Sequence, residues 1–95
     1  MTLYDMGDVA RVTVTFTLAA VNTDPTAVKL KVENPNHVIT EYTWALATVT
    51  RSAAGIFYKD ISLNIAGEWF YRWEGTGAVE SASEGNLYVS DSEFD

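Results

Sequence analysis

The sequence of 95 residues predicts an all-β domain, an antiparallel sandwich of two sheets with about seven short strands and Greek-key connections. Three observations predict it. Turn-forming residues punctuate the chain roughly every 8 to 14 positions, the spacing of short strands. No segment carries the 3.6-residue apolar repeat of an amphipathic helix. The stretch Gly67 to Gly77 places Trp69, Tyr71 and Trp73 on one side of a strand and Phe70 and Arg72 on the other. Large rings bury more apolar area than aliphatic side chains, so this stripe is expected at the centre of the core. A small barrel is the other architecture that would satisfy the pattern.

The elements follow in order. From Asp8 to Thr17 the pattern alternates, with Val12, Val14 and Phe16 on one face and Thr13, Thr15 and Thr17 on the other, a half-buried strand. Asn22-Thr23-Asp24-Pro25-Thr26 reverses the chain, because Pro25 fixes φ among three turn formers. Val28 to Glu33 is a second strand with apolar even and charged odd positions. Asn34-Pro35-Asn36-His37 connects it to a third, Val38 to Trp44, in a hairpin whose bulkier Tyr42 and Trp44 face should point inward. Ala45 to Thr50 could form a helical turn, but its Thr and Val content favours a short strand or bend before Ser52-Ala53-Ala54-Gly55.

Ile56 to Ile65 reads as a strand with Phe57, Ile61, Leu63 and Ile65 in register and Lys59 as the charged exception on that face. Ala66-Gly67 ends it. So short a link implies that the aromatic strand is its antiparallel neighbour. Gly75-Thr76-Gly77 is expected to turn the chain through positive φ. Ala78 to Ser83 is weakly patterned, Asn86 to Ser90 is the closing strand, and residues 91–95 form a frayed acidic end. The core aromatics expected from these registers are Trp44, Phe57, Trp69, Tyr71 and Trp73.

The whole chain, residues 1–95, reads as one domain, long enough to bury a core without cross-links. There is no cysteine, so no disulfide and no thiolate metal site. No basic and apolar leader and no apolar run of membrane-spanning length is present, which predicts a soluble chain made without a signal peptide. The net charge is −7, and residues 80–95 carry five acids and no base. A surface this acidic repels phosphate backbones and anionic lipid, so neither nucleic acid nor membrane is an expected partner.

Catalytic constellations are weak. The single histidine, His37, lies in a turn and reads first as a solvated residue; no Gly-x-Ser-x-Gly elbow accompanies it. Glu74, Glu80 and Glu84 flank one loop region, but a glycosidase needs two acids across a sugar and more scaffold. Asp5, Asp8, Asp91, Glu93 and Asp95 lack the spacing and glycine of a calcium loop. Gly75-Thr76-Gly77 lacks the lysine and helix of a phosphate loop. No enzyme activity, cofactor or metal is therefore expected. Phe70 and Tyr88 fall on the opposite parity to the core sets of their strands, and with Arg72 they are candidate contacts for another protein, as are Asn34, Asn36 and His37 in the hairpin loop. Rows of exposed Trp and Tyr can instead stack on sugars, but the alternation favours a core role for the tryptophans.

Several motifs carry a resemblance: Gly55-x-Phe57-x-x-Asp60-Ile61-x-Leu63, Gly67-x-Trp69-x-Tyr71-Arg72-Trp73-Glu74-Gly75-Thr76-Gly77, and Glu84-Gly85-x-Leu87-x-Val89. With the opening Tyr4-Asp5-Met6-Gly7-Asp8-Val9-Ala10-Arg11-Val12 and the Asp24-Pro25-Thr26-x-Val28-x-Leu30-x-Val32 strand, the chain resembles the small Ig-like domains encoded in tailed-bacteriophage structural gene clusters. The resemblance implies a non-enzymatic virion component, assembled in the host bacterial cytoplasm. It would decorate the capsid or sit at the head–tail joint or tail, in a symmetric array against major capsid, portal, connector or tail proteins. The alternative it leaves is a carbohydrate-binding or host-adhesion module that recognises a host surface glycan. The Pro-Asp-Gly type of hairpin turn usual in the group is replaced here by Pro35-Asn36-His37.

Overall fold

A computed structural model describes residues 2–90. The fold is all-β: the described residues are mostly strand and include no helix. Among the described residues ten strands form: β1 (Thr2–Asp5), β2 (Val9–Thr15), β3 (Thr17–Leu18), β4 (Val21–Asn22), β5 (Ala27–Glu33), β6 (Ile39–Thr43), β7 (Thr50–Ala53), β8 (Ile56–Ser62), β9 (Gly67–Thr76) and β10 (Ser81–Ser90). They make a five-stranded sheet, β1-β10-β9-β5-β6, a three-stranded sheet, β2-β8-β7, and a two-stranded ribbon, β3-β4.

The two larger sheets share one core, built by the alternation the sequence displays. Ala10, Val12 and Val14 of β2, with Phe57 and Ile61 of β8, meet Val28, Leu30 and Val32 of β5, Trp69 and Trp73 of β9, and Leu87 and Val89 of β10. Trp73 is 1% exposed and lies at the centre. Its indole N–H finds no acceptor among the described residues, so burial there carries the cost of an unmade hydrogen bond. Trp69 instead donates its Nε1–H to the carbonyl of Ile65 at 3.0 Å. Tyr71 and Trp44 are half-buried at the margin of the core. Phe16, Phe57 and Trp44 form an edge-to-face chain, with ring centroids 5.9 Å and 4.9 Å apart.

Several expectations are corrected. The described residues hold ten strands rather than about seven, and the five-stranded sheet is mixed, because β1 runs parallel to β10 with Thr2 opposite Leu87. The aromatic strand β9 is not the neighbour of β8. It pairs with β10 and β5, while β8 pairs with β2 and β7, so the Leu63–Ala66 link carries the chain from one sheet to the other. The backbone N–H of Leu63 still bonds to the carbonyl of Asp8 at 2.9 Å, which holds the departing chain on the β2 side.

The closing strand begins at Ser81 rather than Asn86, since β10 pairs along β9 from Gly75 to Gly67. Of Gly75 and Gly77, only Gly77 has positive φ, at 89°. Gly75 is a strand residue, buried against the Phe16 ring. The stretch after β6 is a closed turn: Thr48 N–H bonds to Thr43 C=O at 3.1 Å and Ala47 N–H to Trp44 C=O at 2.9 Å, with Ala47 at φ 58°. That is the bonding of a helix C-terminus, so the helical-turn alternative describes it better than a strand. β7 starts only at Thr50. The acidic end at 91–95 lies outside the described residues.

Candidate functional site

Alternation along β5, β6, β9 and β10 turns one set of side chains away from the core, onto the outer face of the five-stranded sheet. The register sets their neighbours. Lys31 lies opposite Arg72 and Glu41, Glu33 opposite Phe70 and Ile39, Arg72 opposite Glu84, and Phe70 opposite Asn86. Phe70 and Tyr88 therefore sit on the same outer face as Arg72, 45% and 42% exposed. Ile39, 60% exposed, reaches the same patch from the edge strand β6. A shallow depression of about 160 Å³ runs between Phe70, Arg72, Ile39, Lys31, Glu33 and Glu84.

Charges hold this face in order. Arg72 donates from Nε to Glu74 Oε2 at 2.8 Å and bridges across to Glu84 on β10. Lys31 Nζ approaches Glu74 Oε2 at 3.6 Å, so Glu74 is shared by two cations that face each other across the β5–β9 pair. The hydrogen bond from Arg72 is the main reason the Glu74 carboxyl titrates below its ordinary value, and the same bonds raise Arg72. Lys29 Nζ lies 3.8 Å from Glu41 Oε1. Asn86 donates to Glu68 Oε2 at 2.8 Å, beside Tyr88. What results is an apolar patch of Ile39, Phe70 and Tyr88 set in a lattice of ion pairs.

The hairpin loop borders this patch. Asn34 is occupied in building the turn: its Oδ1 accepts from the N–H groups of Asn36 and Val38, each at 3.0 Å. His37 adopts φ 64°, the position usually given to glycine in a loop of this kind, and its Nδ1 lies 3.3 Å from Glu33 Oε2. Since Glu33 faces Phe70, the loop and the face are contiguous. Asn36 and His37 are exposed, whereas Asn34 is half-buried.

The structure thus brings Phe70, Arg72, Tyr88 and His37 to one surface and gives Asn34 a structural task. Sequence reasoning did not single out Ile39, although its parity, opposite to Tyr42 and Trp44, marks it as an apolar residue facing outward. Trp69 and Trp73 are buried, so neither offers a stacking platform. Among the described residues, no group of three or more His, Cys, Asp or Glu is gathered as a metal site. Comparison of the chain with known protein families, with curated proteins and with solved structures finds no match.

Proposed function

We propose that the chain is an Ig-like β-sandwich that acts by protein–protein contact as a structural or accessory component of a tailed-bacteriophage virion, decorating the capsid or joining head and tail. The strand order supports the Ig-like reading. β10, β9, β5 and β6 take the order of strands G, F, C and C′, and β2, β8 and β7 that of B, E and D, with the chain visiting them in the sequence B, C, C′, D, E, F, G. In that frame β1 supplies an additional strand, and the β3-β4 ribbon is inserted between B and C.

The observation that carries the contact reading is the outer face itself: two exposed aromatic rings and an isoleucine lie among ion pairs that leave them uncovered. Aromatic and arginine side chains in such a setting are the usual anchors of an interface. A non-enzymatic role in a symmetric array against capsid, portal, connector or tail proteins is the part of the reading that rests on the resemblance, since a sandwich of this kind hosts many functions. A host surface glycan, the alternative ligand, would have to use Phe70 and Tyr88, with Trp69 and Trp73 buried.

Immunogold electron microscopy on virions of the phage that encodes the chain tests this. Gold at fixed positions on the head, at the head–tail joint or on the tail is expected. The reading fails if the protein stays in the supernatant while capsid and tail proteins sediment. Substituting Phe70→Ser and Tyr88→Ser together should release it from the particle without unfolding it.

A further inference from the structure

A second site lies on the opposite side of the sandwich from β1, between the two sheets. β8 extends from Ile56 to Ser62, but β7 registers only against Ile56, Phe57 and Tyr58. Among the described residues, the strand from Lys59 to Ser62 has a neighbour, β2, on one side alone. Its other side opens into a cleft of about 340 Å³, bounded across the gap by Thr40 and Tyr42 of β6 and floored by Val32, Ile61 and Trp69. Open ladder groups on a sheet edge are a template for an added strand.

Lys59 makes the cleft selective. It points inward with Phe57 and Ile61, where an apolar residue would be expected, and its ammonium group lies 4.6 Å from the centre of the Tyr42 ring. Among the described residues the other five Lys and Arg, Arg11, Lys29, Lys31, Arg51 and Arg72, each pair with a carboxylate, whereas Lys59 has none within ion-pair distance and acts only through its field on the neighbouring Asp60, itself held by Arg11. A half-buried cation that no described carboxylate contacts, at the mouth of a cleft beside an open strand edge, favours an anionic occupant, since Asp60 at the rim is already taken by Arg11.

We propose that Lys59–Ser62 receives an extended peptide segment of a partner protein, paired to β8 as an added strand, with a carboxylate side chain opposite Lys59 and an apolar side chain opposite Ile61. Side chains on one face of a strand recur every second residue, so the recognised element is an acidic and an apolar residue two positions apart. The added strand would continue the three-stranded sheet below β7. The site is separate from the Phe70 face and does not depend on a virion role.

The probe is a blocked peptide, Thr-Val-Thr-Glu-Thr-Val-Thr, whose symmetry allows either strand direction, titrated into the isotopically labelled full chain and followed by amide chemical shifts. Shifts confined to Lys59–Ser62, Thr40, Tyr42 and Trp69 are expected. Affinity should fall about ten-fold when the peptide Glu is replaced by Lys or when Lys59→Gln removes the cation, and binding should vanish when alternate peptide amides are N-methylated. The proposal is overturned if these amides do not move at millimolar peptide, which would make Lys59 a guard against strand addition. It is equally overturned if the N-methylated peptide binds as well, or if the same amides move with protein concentration alone, which would make the occupant a second copy of the chain.

Discussion

Replacing Gly75 by alanine tests the spacing of the two sheets directly. Gly75 is a strand residue on the inner side of β9, and a Cβ built there would lie 2.7 Å from Cε1 and 3.1 Å from Cδ1 of Phe16, and 3.0 Å from Cγ of Pro25. Ordinary carbon contacts are about 3.5–4.0 Å, so the ring or the sheet must yield by close to 1 Å. Phe16 has little freedom, because it packs edge-on to Phe57, which packs on Trp44. Overpacking of this kind costs about 1–3 kcal/mol. The backbone of Gly75 is outside the positive-φ region, so alanine also gains about 0.4–1 kcal/mol by restricting the unfolded chain. The net loss is on the order of 1–2 kcal/mol, a fall in Tm of roughly 5–15 °C for a domain of this length. Urea and thermal unfolding followed by tryptophan emission measure it. Combining Gly75→Ala with Phe16→Leu should recover about 0.5–3 kcal/mol relative to the sum of the single effects. A Gly75→Ala protein within about 0.5 kcal/mol of the parent, or strict additivity with Phe16→Leu, would refute the reasoning.

Three further outcomes are expected. Ala19 and Ala20, at φ 52° and 65°, form the two-residue turn between β3 and β4. Replacing them by Asn and Gly should raise stability by about 1 kcal/mol, since alanine is strained in that region, and a urea midpoint shift checks it. The Asp24 carboxyl accepts the Gly55 N–H at 2.7 Å and Arg51 Nε at 2.9 Å and so titrates below its ordinary value of 3.8, as does Asp60 beside Arg11; Glu74 falls below 4.5. A carboxyl with a lowered folded pKa stabilises the fold above its unfolded pKa and loses that contribution as pH falls through the folded one. The urea midpoint should therefore hold from neutral pH down to those ordinary values and then decline, with a shallower decline in Asp24→Asn. Finally, Phe70→Ala and Tyr88→Ala should each leave Tm within a few degrees of the parent, because both rings are largely outside the core; a large drop in either would mean that the ring is part of the packing.

The strands that show one face to the core were legible because alternation states which side is dry. Val12, Val14 and Phe16, then Val28, Leu30 and Val32, then Trp69, Tyr71 and Trp73 are read from period alone, and the same rule sent Phe70 and Tyr88 outward. Strands without a dry face left no such trace: β7 and the first four residues of β10 are exposed along their length. The β3-β4 ribbon escaped because Ala-Ala is no turn signal, although the backbone takes the left-handed values of one. Ala66-Gly67 was misread for a different reason. A short link with a glycine looks the same in sequence whether the chain doubles back in one sheet or steps across to the other. Here Gly67, at φ 130°, packs so closely on Pro35 that an added Cβ would lie 2.8 Å away, and the chain rounds a corner at that contact. The cleft at Lys59 was illegible in turn, because it depends on which strand fails to extend beside β8; only the odd inward lysine hinted at it.

The parallel pairing of β1 with β10 bears on how the domain carries load. Thr2 lies beside Leu87 and Asp5 beside Ser90, so the chain enters at one end of this two-strand seam and leaves at the other. Tension applied through the two ends would pull the strands lengthwise past each other, loading their rungs together rather than peeling them one at a time. Resistance to such a pull is governed by the rate of escape over a barrier and not by equilibrium stability. A domain tethered at both ends would thus be fastened by the seam between β1 and β10.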